Sequence, residues 1–161
     1  MTRPPSTPTI LNTTISRILL GYQKLSSHTS KPLIYTSLYV PEISLSKYIE
    51  RISTYSSLED NVLISAIIYI DRYLSISKVD LTSHEVHRLL LTAIVIAIKF
   101  HCDEFFDNAY YAAIGGITME ELNDLEKDLI EALDYRLYIE EELYKRYMKA
   151  VISYGSIYVR S

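Results

Sequence analysis

Apolar residues recur every three to four positions along most of this 161-residue chain, a spacing that places them on one face of an α-helix. The first such stripe runs from Leu11 to Leu25. A second runs from Leu45 to Tyr55, directly after Ser44, whose side chain suits a helix N-cap. Alternating strand patterns are absent, and only 4 glycines and 5 prolines occur. The pattern therefore predicts an all-α fold.

Two segments are apolar on nearly every side, which is typical of helices buried in the centre of a bundle. The first, Val62 to Ile70, lies in a helix that is predicted to open at Ser57 to Asp60. The second, Leu89 to Ile98, lies in a helix predicted over about 83–101. This helix follows Thr82 to Glu85, which has the spacing of a capping box.

Cap signals bound three further helices. A short helix from Asn108 to Ile114 is followed by Gly115-Gly116, and glycine readily adopts the left-handed backbone that ends a helix. Thr118 to Glu121 is a second capping box, and the acidic run Glu140 to Glu142 favours a helix N-terminus. The sequence thus predicts about five helices around the apolar pair, with a further helix at each end.

Composition and charge narrow the class of protein. With 48% hydrophobic and 22% charged residues, the chain is typical of one folded globular domain. Its apolar runs are too short to span a membrane, and its N-terminus lacks a signal-peptide pattern. A net charge of −4 argues against nucleic-acid binding, and a single cysteine fits a reducing compartment. We expect a protein of the nucleus or cytoplasm, with neither membrane nor nucleic acid as a partner.

A polar cluster near the second apolar helix raises the question of a metal or catalytic site. His84 and His87 are three residues apart, and Cys102, Asp103 and Glu104 are available as further ligands. Zinc and di-iron motifs are missing, as are phosphate-binding and nucleophile motifs. We interpret His84 as a solvated residue in the first turn of its helix, and Cys102 as a small, half-buried packing residue. No metal, no cofactor and no enzyme activity are expected.

Asp71 is a charged residue near the C-terminal end of the first apolar helix, where the helix dipole disfavours an anion. Two interpretations stay open at this point. Asp71 either pairs with Arg51, which lies on the preceding helix, or faces water beside Arg72.

Two more charges lie on apolar helices. Lys99 follows Leu89 to Ile98, and it either bonds the free carbonyls of its own last turn or faces a partner. Glu126 follows Leu125 on the apolar side of its helix, and it is either solvated beside Lys127 or faces the same partner. A lysine and a glutamate that flank a groove have the opposite charges needed to satisfy the exposed backbone groups of a partner helix.

Four separated stretches occur in the order, and near the spacing, of a known family. They are IDRYL at 70–74, TAIVIAIKF at 92–100, CDEFFDNAYYAAIGGI at 102–117 and ELNDLEKDLIEALDYRLYI at 121–139. Together they resemble the cyclins, and the glycine pair and the ELN-x-LE run are most similar to the P-type branch, also called U-type. The resemblance implies one five-helix cyclin box at about 38–140, an N-terminal tail and helix at 1–37, and a C-terminal helix and tail at 141–161.

The resemblance also implies a regulatory subunit. Cyclins bind a cyclin-dependent protein kinase and push its C-helix into the active position. The family's lysine and glutamate that hold this helix match Lys99 and Glu126, and its internal ion pair matches Arg51 and Asp71. Asp103, at the rim of the same surface, is expected to meet a kinase arginine near the activation segment.

Two features depart from the wider family. The substrate-docking motif of A-type cyclins is not visible in LSKYIERI at 45–52, and a second box is missing from this sequence. Two alternatives to kinase regulation stay open. One is a cyclin-fold scaffold or transcription factor, although such proteins normally have two boxes and the transcription factors have basic surfaces. The other is a metal-bound helical enzyme.

Overall fold

The computed structural model describes residues 8–24, 41–56, 58–78, 81–83 and 85–159. These residues form seven α-helices and no strand, which confirms the predicted all-α fold. The helices are α1 (Pro8–Lys24), α2 (Leu45–Tyr55), α3 (Asp60–Ser77), α4 (Val86–His101), α5 (Asn108–Gly115), α6 (Met119–Ala132) and α7 (Glu141–Val159). The five helices of the predicted box are α2 to α6, and α1 and α7 are the added helices. The predicted boundary at 37/38 lies outside the described residues.

The helices α3 and α4 pack against each other at the centre of the fold, as their all-round apolar surfaces predict. Every residue from Val62 to Ile70 and from Leu89 to Ile98 is buried. Burying one large aliphatic side chain contributes about 1.5–3 kcal/mol, so this pair dominates the hydrophobic stabilisation. Over the part of the chain that the structure describes, none of the helices combines the length and apolarity needed to cross a bilayer.

Three predicted caps are confirmed by their geometry. The Ser44 hydroxyl accepts a hydrogen bond from the Lys47 amide at 3.3 Å, and the Thr118 hydroxyl accepts one from the Glu121 amide at 3.1 Å. Gly116 ends α5 with a φ of +72°, in the left-handed region. Local sequence therefore sets where α2, α5 and α6 begin or end.

The helix α4 starts later than predicted, at Val86 rather than near residue 83. The Thr82 amide donates to the Glu85 carboxylate at 3.0 Å, which is one half of a capping box. The Thr82 carbonyl accepts from the amides of Glu85 and Val86. The box thus forms a turn that leads into α4 and is not the first turn of the helix.

Close packing at Gly115 positions α5. The Tyr48 hydroxyl of α2 donates to the Gly115 carbonyl at 2.8 Å. A Cβ atom at Gly115 would overlap Cδ2 of Leu91, a core residue of α4. Any larger residue here would displace the buried Leu91 side chain, so glycine permits the close approach of α5 to α2 and α4.

Candidate functional site

Lys99 and Glu126 form a two-point ion pair between the last turn of α4 and the middle of α6. The Lys99 Nζ lies 3.0 Å from Oε1 and 2.9 Å from Oε2 of Glu126. The side chains are 26% and 18% exposed, so the pair lies at the border between core and solvent. The structure thus brings together the two residues that the sequence assigns to one site. It places them in direct contact, and among the described residues the Lys99 ammonium bonds Glu126 instead of carbonyls of its own helix.

Asn108, the first residue of α5, extends this pair into a polar network. Its Nδ2 donates to Glu126 Oε2 at 3.2 Å and to Asn123 Oδ1 at 2.7 Å. Asp107 caps α5 by accepting from the Tyr110 amide at 2.9 Å, and this cap fixes where the helix begins. Asn108 is not among the site residues predicted from the sequence. Asp107 beside it is a typical N-cap residue and does mark Asn108 as the first residue of a helix.

An open pocket of about 340 Å³ is lined by Glu126 and Tyr135, together with further residues of α5 and α6. Tyr135 follows α6 and is 70% exposed. Its amide donates to the Ile130 carbonyl at 3.0 Å and the Asp134 amide donates to the Glu131 carbonyl at 2.9 Å, the two bonds of a Schellman motif. Tyr135 also has a φ of +59°, a left-handed conformation that bulky residues seldom adopt.

Three phenylalanines are exposed around the end of α4. Phe100, directly after Lys99, is 48% exposed, while Phe105 and Phe106 in the α4–α5 loop are 53% and 52% exposed. Asp103 lies in the same loop, exposed and outside the ion pairs of the described residues. Three exposed aromatic side chains therefore follow Lys99 in the chain, and the α4–α5 loop that carries two of them also carries an exposed acidic residue.

The structure does not bring Arg51 and Asp71 together, so the predicted ion pair is not formed. Arg51 is exposed on α2. The Asp71 carboxylate accepts a 2.8 Å hydrogen bond from the Tyr147 hydroxyl of α7, and the ion pairs of the described residues include neither Arg51 nor Asp71. Burial, together with the hydrogen bond and the charge of Asp71, raises the pKa of Tyr147 to about 12. The anion is thus satisfied by a neutral hydroxyl that remains protonated.

The candidate metal ligands that the structure describes do not form a cluster. His84 lies outside the described residues, and Cys102 is half-buried. His87 is buried, and its Nε2 lies 2.9 Å from the Ile43 carbonyl, which can only accept, so Nε2 carries the proton. Within the described ranges, no group of three or more His, Cys, Asp or Glu residues is arranged to hold a metal ion.

Comparison with known proteins gives a family match. The family model described as Cyclin matches residues 6–137, which include α1 as well as the five box helices. The chain is 46% identical over 107 residues to Cyclin-P3-1 of Oryza sativa subsp. japonica, covering 66% of this chain and 45% of that protein. It is 34% identical over 145 residues to Cyclin-U3-1 of Arabidopsis thaliana, covering 88% and 66%.

A yeast protein is also similar. The chain is 41% identical over 104 residues to the PHO85 cyclin PHO80 of Saccharomyces cerevisiae, covering 64% of this chain and 36% of that protein. The chain thus spans between 36% and 66% of the length of these three relatives. The match over most of the chain, together with the all-helical fold, shows that the protein belongs to the cyclin family, within its P and U types.

Proposed function

We propose that this protein is the regulatory subunit of a cyclin-dependent protein kinase, without enzyme activity of its own, and that it activates the kinase by positioning the kinase C-helix. The observation that carries the proposal is the Lys99–Glu126 pair, which lies at the surface at the two positions that the cyclin resemblance assigns to kinase binding. One relative is named as the cyclin of PHO85, which supports a partnership of the same kind.

The ion pair retains capacity for a partner. A lysine ammonium has three donors, and two of them point at the Glu126 oxygens. The Glu126 carboxylate has about four acceptor sites, and three are used by Lys99 and Asn108. Counting the hydrogen bonds among the described residues, one donor and one acceptor are left to bond the backbone groups at a helix end. The pair can therefore hold a kinase helix without opening.

Aromatic side chains flank the charged pair and supply apolar contact area. Phe100 follows Lys99, and Tyr135 lines the pocket beside Glu126. Protein interfaces typically place aromatic residues in their core and charged residues at the rim. Asp103, exposed in the α4–α5 loop, is the rim residue that we propose meets a kinase arginine.

The test is to measure kinase affinity and melting temperature on the same purified variants. The partner is the cyclin-dependent kinase that co-purifies with the tagged protein from its source cells. Lys99→Ala and Glu126→Ala should each weaken binding roughly tenfold or more, because losing a charged group from a desolvated interface costs about 2–5 kcal/mol. A kinase that binds both variants normally would contradict the site.

A charge exchange separates the two roles of the pair. Lys99→Glu with Glu126→Lys restores the internal ion pair but reverses the charges that a partner meets, so it should recover melting temperature and not affinity. The matched control is Arg88→Glu with Glu121→Arg, because Arg88 and Glu121 also join α4 to α6 and are 25% and 30% exposed. The control should bind normally. Recovery of affinity in the Lys99–Glu126 exchange would overturn the proposed role.

The alternative, a cyclin-fold scaffold without kinase activation, differs in the activity of the complex. An activating subunit should co-elute with the kinase one-to-one through an interface of roughly 1,600 Å² or more, and should raise kinase activity from near zero. A complex that forms but stays inactive would favour the scaffold.

A further inference from the structure

Two side chains of α3 hold three successive backbone carbonyls of the segment that joins α6 to α7. The Tyr69 hydroxyl donates to the Leu137 carbonyl at 2.6 Å. The Arg72 guanidinium donates to the Arg136 carbonyl at 2.9 Å and reaches the Tyr138 carbonyl with both terminal nitrogens at 3.4 Å. Tyr69 and Arg72 are three residues apart, so they lie on one face of α3. We call these two side chains the α3 clasp.

The clasp is also joined to the helix that carries Lys99. The Nε2 of His101, at the end of α4, lies 3.1 Å from the Tyr69 hydroxyl. The single proton of that hydroxyl is given to Leu137, so Nε2 is the donor in this contact. Tyr69 is fully buried, and burial raises its pKa well above the usual value, which keeps the hydroxyl protonated.

The segment held by the clasp begins with a strained turn. Asp134 and Tyr135 are consecutive left-handed residues, with φ values of +52° and +59°. Such conformations cost about 1–3 kcal/mol each when a bulky residue adopts them, and they persist where the surroundings fix them. The clasp bonds begin at the next residue, Arg136. Together with the two Schellman bonds at Asp134 and Tyr135, they restrain the backbone that places Tyr135 at the pocket beside Glu126.

We propose that Tyr69 and Arg72 are positioning residues for partner binding, which hold the 134–138 segment so that Tyr135 forms a fixed part of the surface around Lys99 and Glu126. This inference rests on the proposed function. An arginine suits the role because its planar fork can donate to two carbonyls at once, whereas a lysine ammonium is a compact point charge.

The experiment compares Arg72→Ala, Arg72→Lys and Tyr69→Phe with Arg146→Ala, a matched change of an exposed arginine on α7. The three clasp variants should weaken kinase binding roughly tenfold or more, with Arg72→Lys between wild type and Arg72→Ala. Amide hydrogen exchange should speed up in residues 134–140 and stay slow in residues 89–98. The Arg146→Ala control should match wild type in both measurements.

A double-mutant cycle tests whether Arg72 acts through Tyr135. In the Tyr135→Ala background, adding Arg72→Ala should weaken binding little further, because the side chain that it positions is gone. An undiminished second loss would overturn the inference, as would normal affinity of Arg72→Ala and Tyr69→Phe. Lys99→Ala is measured in parallel: normal binding by that variant overturns the proposed site, whereas a loss in Lys99→Ala with normal clasp variants overturns only the clasp.

Discussion

The Tyr147 hydroxyl donates a 2.8 Å hydrogen bond to the Asp71 carboxylate, and so α7 provides the partner that the family resemblance assigned to Arg51 on α2. The C-terminal helix is thus connected to the central helix α3 by a charge-assisted bond as well as by apolar packing around Ile64, Ile68 and Val151. This helix is therefore part of the folded unit.

Removing the Tyr147 hydroxyl should destabilise the protein more than removing Arg51. Tyr147→Phe leaves a half-buried carboxylate without its donor, and hydrogen bonds to charged groups contribute about 1.5–3 kcal/mol. Arg51→Ala changes an exposed side chain and should stay within about 0.5 kcal/mol of wild type. Urea unfolding of both variants measures the difference. A larger loss in Arg51→Ala would contradict the arrangement.

Two neighbouring glycines should respond differently to substitution. Gly115→Ala drives a methyl group into Leu91 and Tyr48 and should cost about 1–3 kcal/mol as overpacking. Gly116 has open space but a φ of +72°, so Gly116→Ala should cost about 1–2 kcal/mol in backbone strain.

Asparagine substitutions at the same two positions separate these causes. Asparagine tolerates the left-handed region, so Gly116→Asn should recover most of the loss seen with alanine. Gly115→Asn should be worse than Gly115→Ala, because a larger side chain meets the same contact. Thermal unfolding ranks the four variants, and a reversed ranking would show that strain and crowding are wrongly assigned.

Acid should destabilise the fold through His87. Burial lowers the pKa of His87, and its Nδ1 is buried without a partner among the described residues, so a proton added there has no acceptor. The unfolded chain then binds more protons than the folded one, and stability is lost as the pH falls below about 6.5.

Melting temperatures between pH 7.5 and 5 test this linkage. A neutral replacement, His87→Gln, should flatten the slope in part. The remainder should come from His101, whose pKa is also lowered by burial. An unchanged slope in His87→Gln would contradict the assignment.

Tyr135 should favour binding at the expense of folding. Tyr135→Gly relieves a left-handed conformation and should leave stability unchanged or raise it by up to about 1 kcal/mol, while kinase affinity falls. Tyr138→Gly is the matched control, because Tyr138 is 72% exposed in the same segment without a positive φ. It should lose about 0.5–1 kcal/mol of stability from added chain flexibility. Equal stability changes in the two variants would contradict strain at Tyr135.

Sequence predicts the features of this fold that depend on near neighbours. The caps at Ser44 and Thr118 can be predicted because hydrogen-bond donor and acceptor lie within a few residues of each other. The cap at Gly116 can be predicted because glycine favours the positive φ that ends a helix. The burial of α3 and α4 follows from their composition alone. Periodicity tells which face of a helix is apolar, but it does not give the rotation of one helix against another.

The interactions that sequence does not reveal join residues far apart in the chain. Tyr147 and Asp71 are 76 positions apart, and the contact of Arg72 with Arg136 spans 64. Family resemblance assigned Lys99 and Glu126 to one site. Their direct contact depends on how closely α4 and α6 approach, which no local pattern encodes. The left-handed conformation of Tyr135 cannot be predicted from the sequence either, because tyrosine itself does not favour that conformation.

Opposite charges held 2.9 Å apart cancel each other at longer range, so Lys99 and Glu126 add little to the diffusional attraction of a partner. The pair itself therefore contributes little to the salt dependence of the association rate constant, and its effect on affinity lies mainly in the rate of dissociation. Glu126→Ala exposes a bare ammonium and should make association sensitive to salt even as the complex dissociates faster.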